Sequence, residues 1–175
     1  RLRTLAKETD QKDRISVELS NINLNDFAPF VLPDNRLEGV ITGNLVIEDP
    51  VGDLRISSGP ITTRLLRLDN DSIGELSAAL TYNQRLGELR AQGATLNQQE
   101  KLSFDIRLST KDSLVEQNKI SLNTQQYPIK LLERFLGDLF SDITGYLTGD
   151  VIIAGDLNRP AVTGKGLLSK AGLRV

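Results

Sequence analysis

The chain has 175 residues with 21 basic against 23 acidic side chains, so it is long enough to bury a core and carries neither a basic nucleic-acid footprint nor a large acidic field. It contains no Cys, His, Trp or Met. That removes the imidazole base, the thiol nucleophile and the soft metal ligands, and with them most metal-dependent and acyl-transfer chemistry. Absence of cysteine leaves the redox compartment open. The longest apolar runs, such as Val151 to Ala154, fall far short of the roughly 20 residues that span a bilayer.

In chain order, the first regular segment alternates Ile15, Val17 and Leu19 with polar residues, the period of a strand with one apolar face. "LNDFAPFVLP" follows, with Asn25 or Asp26 as N-cap, Pro29 in the first turn and Pro33 as a stop. It reads as one or two helical turns with Phe27, Phe30 and Val31 on the packing side. The alternation then resumes at Leu45/Ile47, Leu54/Ile56, Leu76/Ala78/Leu80 and Leu89/Ala91. It is clearest in "LSFDIRLST", where Leu102, Phe104, Ile106 and Leu108 oppose Ser103, Asp105, Arg107 and Ser109, and it continues at Ile120/Leu122. Turn signals at "DPVGD", "SSGP", "DNDS", "YNQRLG" and "STKDS" separate these runs and suit an antiparallel meander.

"IKLLERFLGDLF" breaks the period. Leu132, Phe135, Leu136, Leu139 and Phe140 recur at helical spacing opposite Lys130, Glu133, Arg134 and Asp138, which predicts a short amphipathic helix with Leu132, Phe135, Leu136 and Leu139 turned inward. The final stretch, "DITGYLTGDVIIAGDLNRPAVTGKGLLSKAGLRV", is strand-rich yet carries glycine at 145, 149, 155, 164, 166 and 172. Val151 and Ile153 are expected on the same face as Phe104, Ile106, Leu108 and Leu122. Three consecutive aliphatics leave the phase of 151–153 open.

A shift of 105 residues pairs Ile15-Ser16-Val17 with Ile120-Ser121-Leu122, Leu24 with Ile129, Phe27 with Leu132, Phe30 with Phe135 and Val31 with Leu136. One inserted residue then pairs Gly39 with Gly145 and Gly43 with Gly149. The expectation is one β segment, 1–175, cut from a longer chain, with an internal repeat over 15–57 and 120–168 of the form strand, short helix, glycine-punctuated strand. The recurring glycines allow two architectures: a strongly curled sheet forming an open trough, or short strands ending in a flat sandwich.

No motif supports catalysis. "DNDSIGE" lacks the calcium-loop ligands, since Ile73 fills one ligand position and Leu80 stands where the bidentate Glu belongs. "TGKG" around Lys165 is no phosphate loop, because Arg159 replaces its first glycine and no Ser or Thr follows the Lys. The acidic pairs Glu48/Asp49 and Asp69/Asp71 are expected to be solvent-facing turn carboxylates rather than a pair converging from separate elements. Neither a metal nor a cofactor is called for. What remains is an aliphatic lining: 29 leucines against eight aromatic residues. Such a lining suits acyl chains and equally suits a plain leucine-rich core.

"LTGDVIIAGDLNRPAVTGKGLL" resembles the recurring G-x-L-x-x-P-x-x-x-G phrase of the TamB (translocation and assembly module) family in the AsmA-like repeat superfamily, with Gly155, Leu157, Pro160 and Gly164 in its fixed positions. The amphipathic stretch followed by "ITGYLTGD" resembles the helix-then-strand phrase near that family's carboxyl-terminal region. The likeness implies a mainly β fold, an antiparallel-rich sheet curled into a hydrophobic trough (a β-taco) with one or two short amphipathic helices. It further implies a protein anchored in the inner membrane of a didermic bacterium, crossing the periplasm toward an Omp85-class, TamA-like outer-membrane partner. No catalytic residue belongs to the family. The function it implies is movement of phospholipid between membranes. The lining would then be Val17, Leu45, Ile47, Leu54 and Ile56; Leu76 and Leu80; Leu102, Phe104, Ile106 and Leu108; and Ile120, Leu122, Val151 and Ile153. The alternative is a scaffold or chaperone for outer-membrane protein assembly, acting through open sheet edges.

Overall fold

The computed structural model describes residues 2–3, 13–26, 36–69, 71–96, 99–132 and 141–174. The strands are β1 (Leu2–Arg3), β2 (Arg14–Asn23), β3 (Leu37–Glu48), β4 (Arg55–Ser58), β5 (Ile61–Leu68), β6 (Asp71–Asn83), β7 (Glu88–Thr95), β8 (Lys101–Ser109), β9 (Lys119–Pro128), β10 (Ser141–Ala154) and β11 (Ala161–Arg174). All eleven join one antiparallel sheet in which strands next to each other in the chain pair, except β4 and β5, which each pair with β3 and β6 instead. Strands β4 and β5 share one lane between β3 and β6, interrupted at Gly59-Pro60. Proline has no N–H to give the ladder there. Beside the interruption, Ser58 Oγ accepts the Leu80 N–H at 2.9 Å.

The turns form where the sequence places turn chemistry. In "YNQRLG", Asn83 Oδ1 accepts the Leu86 N–H at 3.0 Å, the Gly87 N–H bonds the Gln84 carbonyl at 3.1 Å, and Gly87 sits at φ 65°. The only helices among the described residues are 3₁₀ turns: Leu24–Asp26, Asp112–Gln117 and Ile129–Leu132. The first and last open the two segments expected to be helical. Phe27, Phe30, Phe135, Leu136 and Leu139 lie outside the described residues, and Leu132 ends the last 3₁₀ turn.

The units β2–β3 and β9–β10 coincide in detail. Each breaks register once, between Leu19 and Ile22 in one and between Leu147 and Gly149 in the other. The extra residue is Asn21 at φ 52° in the first and Gln126 at φ 49° in the second, 105 positions apart. In both bulges a threonine on the facing strand accepts the freed N–H: Asn21 N–H to Thr42 Oγ1 at 3.4 Å, and Gln126 N–H to Thr148 Oγ1 at 2.9 Å. Gly39 and Gly145 occupy the matching place with φ of 147° and 112°, a region that side chains disfavour. The closing bonds also match, Asp49 N–H to the Asp13 carbonyl at 2.8 Å and Gly155 N–H to the Asn118 carbonyl at 3.0 Å.

Beyond the β7–β8 hairpin, β6 and β9 converge. In a flat sheet three strand steps of about 4.8 Å would separate them by roughly 14 Å. Yet the Tyr127 hydroxyl donates to the Ile73 carbonyl at 2.9 Å, and Lys130 Nζ meets Asp71 Oδ1 at 2.9 Å. The buried hydrophobic residues gather toward this end and its neighbouring lanes: Ile61, Leu66, Leu76, Tyr127, Ile129 and Leu147, with Ile153 further along β10.

Candidate functional site

Cross-strand partners share a face, so the register sorts every side chain. One row runs Ile15, Ile47, Ile56, Tyr82, Leu89 and Leu108. Beside it lie Val17 with Leu45 and Ser58, then Leu80, Ala91, Ile106, Ile120, Ile153 and Val162. A third row is Ile61, Ala78, Gly93, Phe104, Leu122, Val151 and Gly164. A fourth brings Leu76 beside Thr63 and Thr95, and Leu102 beside Thr124. All the lining residues anticipated from the sequence that the register places therefore fall on one face, and Leu54 alone has no register partner. That residue precedes β4, where its N–H donates to Gln84 Oε1 at 3.1 Å.

This face is open. Only Leu76 and Ile153 of the anticipated lining are buried, and the others are half-buried. A leucine-rich sandwich core would have hidden them all, because a second layer removes both inner faces from water. Among the described residues one sheet is present and no second layer stacks on it.

Two devices keep the face apolar where its residues are small or polar. The Phe104 ring lies over Gly93, its cross-strand partner: a Cβ at Gly93 would come within 2.6 Å of Phe104 Cζ and 2.5 Å of the Ser77 carbonyl oxygen. The threonines turn their hydroxyls to the backbone. Thr124 Oγ1 donates to the Gly149 carbonyl at 3.1 Å, and Thr95 Oγ1 accepts the Leu102 N–H at 2.9 Å. Their methyl groups are thereby left as the unpaired part of the side chain.

The opposite face is polar. Glu88 takes Arg90 at 2.7 Å and Arg107 at 3.1 Å, Gln92 Nε2 donates to Asp105 Oδ2 at 2.7 Å, and Asn123 Nδ2 donates to Asp150 Oδ1 at 2.7 Å. The Arg90 hydrogen bond, with the charges of Arg90 and Arg107, holds the Glu88 carboxyl below its ordinary value. These pairs are exposed and contribute little to stability. Ile152, the middle aliphatic of "VII", belongs to this face opposite Ser121 and Thr163, which fixes the phase left open by the sequence.

Sequence reasoning missed Ile61, Leu66, Tyr127 and Leu147. Bulges at Leu65 (φ 54°) and Gln126 shift the alternation by one residue, so Leu66 is buried while Leu65 is 75% exposed. The burial of Tyr127, and secondarily the charge of Glu100, push its phenol above the ordinary value of 10.0, so it remains a donor. Among the described residues no three acidic side chains come together as a metal cluster. In comparisons with family models, curated proteins and solved structures, the chain has no match in any of the three.

Proposed function

We propose that this chain is a TamB-like segment of a periplasmic lipid conduit, in which phospholipid acyl chains travel along the apolar face while headgroups stay wet. The observation that carries the reading is the continuity of that face: aliphatic rows cross the sheet from β2 to β10, mostly half-exposed with Ile153 buried, and among the described residues no second layer stacks on them. Each methylene withdrawn from water gains about 0.8 kcal/mol, and similar aliphatic sites in succession let a chain slide without a deep trap. The convergence of β6 and β9 at the Tyr127–Ile73 contact supports a sheet curled into a trough. The matched units β2–β3 and β9–β10 support an architecture lengthened by adding copies. In the full protein the resemblance adds an inner-membrane anchor and an Omp85-class partner at the outer membrane.

The scaffold reading draws on β11, a 14-residue strand at the sheet edge. Two lysines and the positive φ of Lys170 blunt that edge against strand addition, so the lipid reading is the better supported. Transfer of a fluorescent phospholipid between donor and acceptor vesicles tests it. The folded wild-type chain should accelerate transfer, and Ile106→Asp should abolish the gain by placing a charge in the apolar path. Equal transfer by a folded Ile106→Asp variant would reject the conduit.

A further inference from the structure

We infer that the β10–β11 end of the apolar face seats an acyl chain of an anionic phospholipid whose headgroup lies over the free edge of β11. The inference rests on the lipid reading above and adds the charge class of the headgroup. An apolar hollow of 250 Å³ occupies this end. Its walls are Leu147, Val151, Ile153, Val162 and Leu168, with Ile129 contributed by the 3₁₀ turn after β9. Gly164 and Gly166 supply a floor without side chains.

The hollow opens sideways. Strand β11 is the sheet's last lane, and Leu168 on its apolar face is 45% exposed. A chain lying over Gly164 and Gly166 therefore leaves across the β11 edge. What it meets there is cationic: Ala161–Arg174 contains Lys165 and Lys170 and no acidic residue, and Arg159 lies in the preceding turn. All three are exposed. Two carboxylates lie nearby: Asp150, the register partner of Lys165 and itself part of the hollow's lining, and Asp156 in the turn with Arg159, so the bases outnumber the acids three to two. An apolar seat beside an outlet with a net excess of basic over acidic side chains complements an amphiphile with a net negative head. A second strand fits this edge poorly, because lysines and a bulge oppose edge pairing.

The test uses the 175-residue chain with two fluorescent probes of identical acyl chains, phosphatidylglycerol and phosphatidylcholine. Phosphatidylglycerol should bind about tenfold more tightly at low ionic strength, and the preference should vanish near 1 M salt. Lys165→Ala combined with Lys170→Ala should erase the preference without weakening phosphatidylcholine. Val162→Trp, which fills the hollow, should erase it too, whereas Leu167→Trp on the opposite face should change neither affinity. The wild-type comparison decides the matter even if Val162→Trp does not fold. Equal binding of both probes would overturn the headgroup inference and leave the lipid reading standing. Binding of neither would overturn both, and a preference that survives the double lysine variant would overturn the seat.

Discussion

Tyr127 donates its phenolic proton to the Ile73 carbonyl at 2.9 Å and so ties β9 to β6 past the tip of the hairpin between them. Tyr127→Phe keeps the ring and removes the bond, and should cost about 0.5–1.5 kcal/mol in urea unfolding. The bond also sets an alkaline limit. The folded phenol titrates above 10.0, so in the unfolded chain Tyr127 loses its proton first as pH rises. Its contribution is complete below the unfolded value and is lost as pH climbs from there through the folded value. Unfolding midpoints at pH 8 and pH 11 should show that alkaline loss in wild type and a smaller one in Tyr127→Phe.

Gly93 is fixed by the ring above it. Adding a methyl group would bring a Cβ within 2.5 Å of the Ser77 carbonyl oxygen and 2.8 Å of Ala78 Cβ, so neither the backbone nor Phe104 leaves room. Gly93→Ala should destabilise by about 1–3 kcal/mol through overpacking. Paired with Phe104→Ala, which frees the ring's space, the loss from Gly93→Ala should shrink. Additive losses in that double-mutant cycle would show that the ring does not oppose the new methyl.

The two repeated bulges differ in tightness, 2.9 Å at Gln126–Thr148 against 3.4 Å at Asn21–Thr42. Thr148→Val should therefore cost more than Thr42→Val, about 1 kcal/mol against a few tenths. Urea midpoints of the two variants would establish the order, and a reversed order would contradict this ranking of the bonds.

Alternation was legible wherever the ladder stays in register. Leu102 to Leu108 fall where their sequence pattern puts them because nothing interrupts β8. Bulges are invisible to that pattern: at Leu65 and Gln126 an extra residue in the left-handed region moves the next side chain to the other face, which hid Leu66 and Tyr127. The phase of Val151-Ile152-Ile153 needed partners, and Leu122, Ser121 and Ile120 supply it. The glycines carried more than a strand-breaking signal, since Gly39 and Gly145 mark equivalent places 106 residues apart. Leu54 fits the alternation of β4 but lies before its first residue, because the Gln84 side chain and backbone take up its polar groups.

The proposed conduit requires one face of this sheet to meet acyl chains and the other not to. Photo-crosslinking side chains placed singly at Phe104, Ile106 and Leu122 should capture phospholipid, while the same group at Asp105 or Arg107, on the opposite face of the same strand, should capture little. Phospholipid adducts of equal yield on both faces would contradict the account.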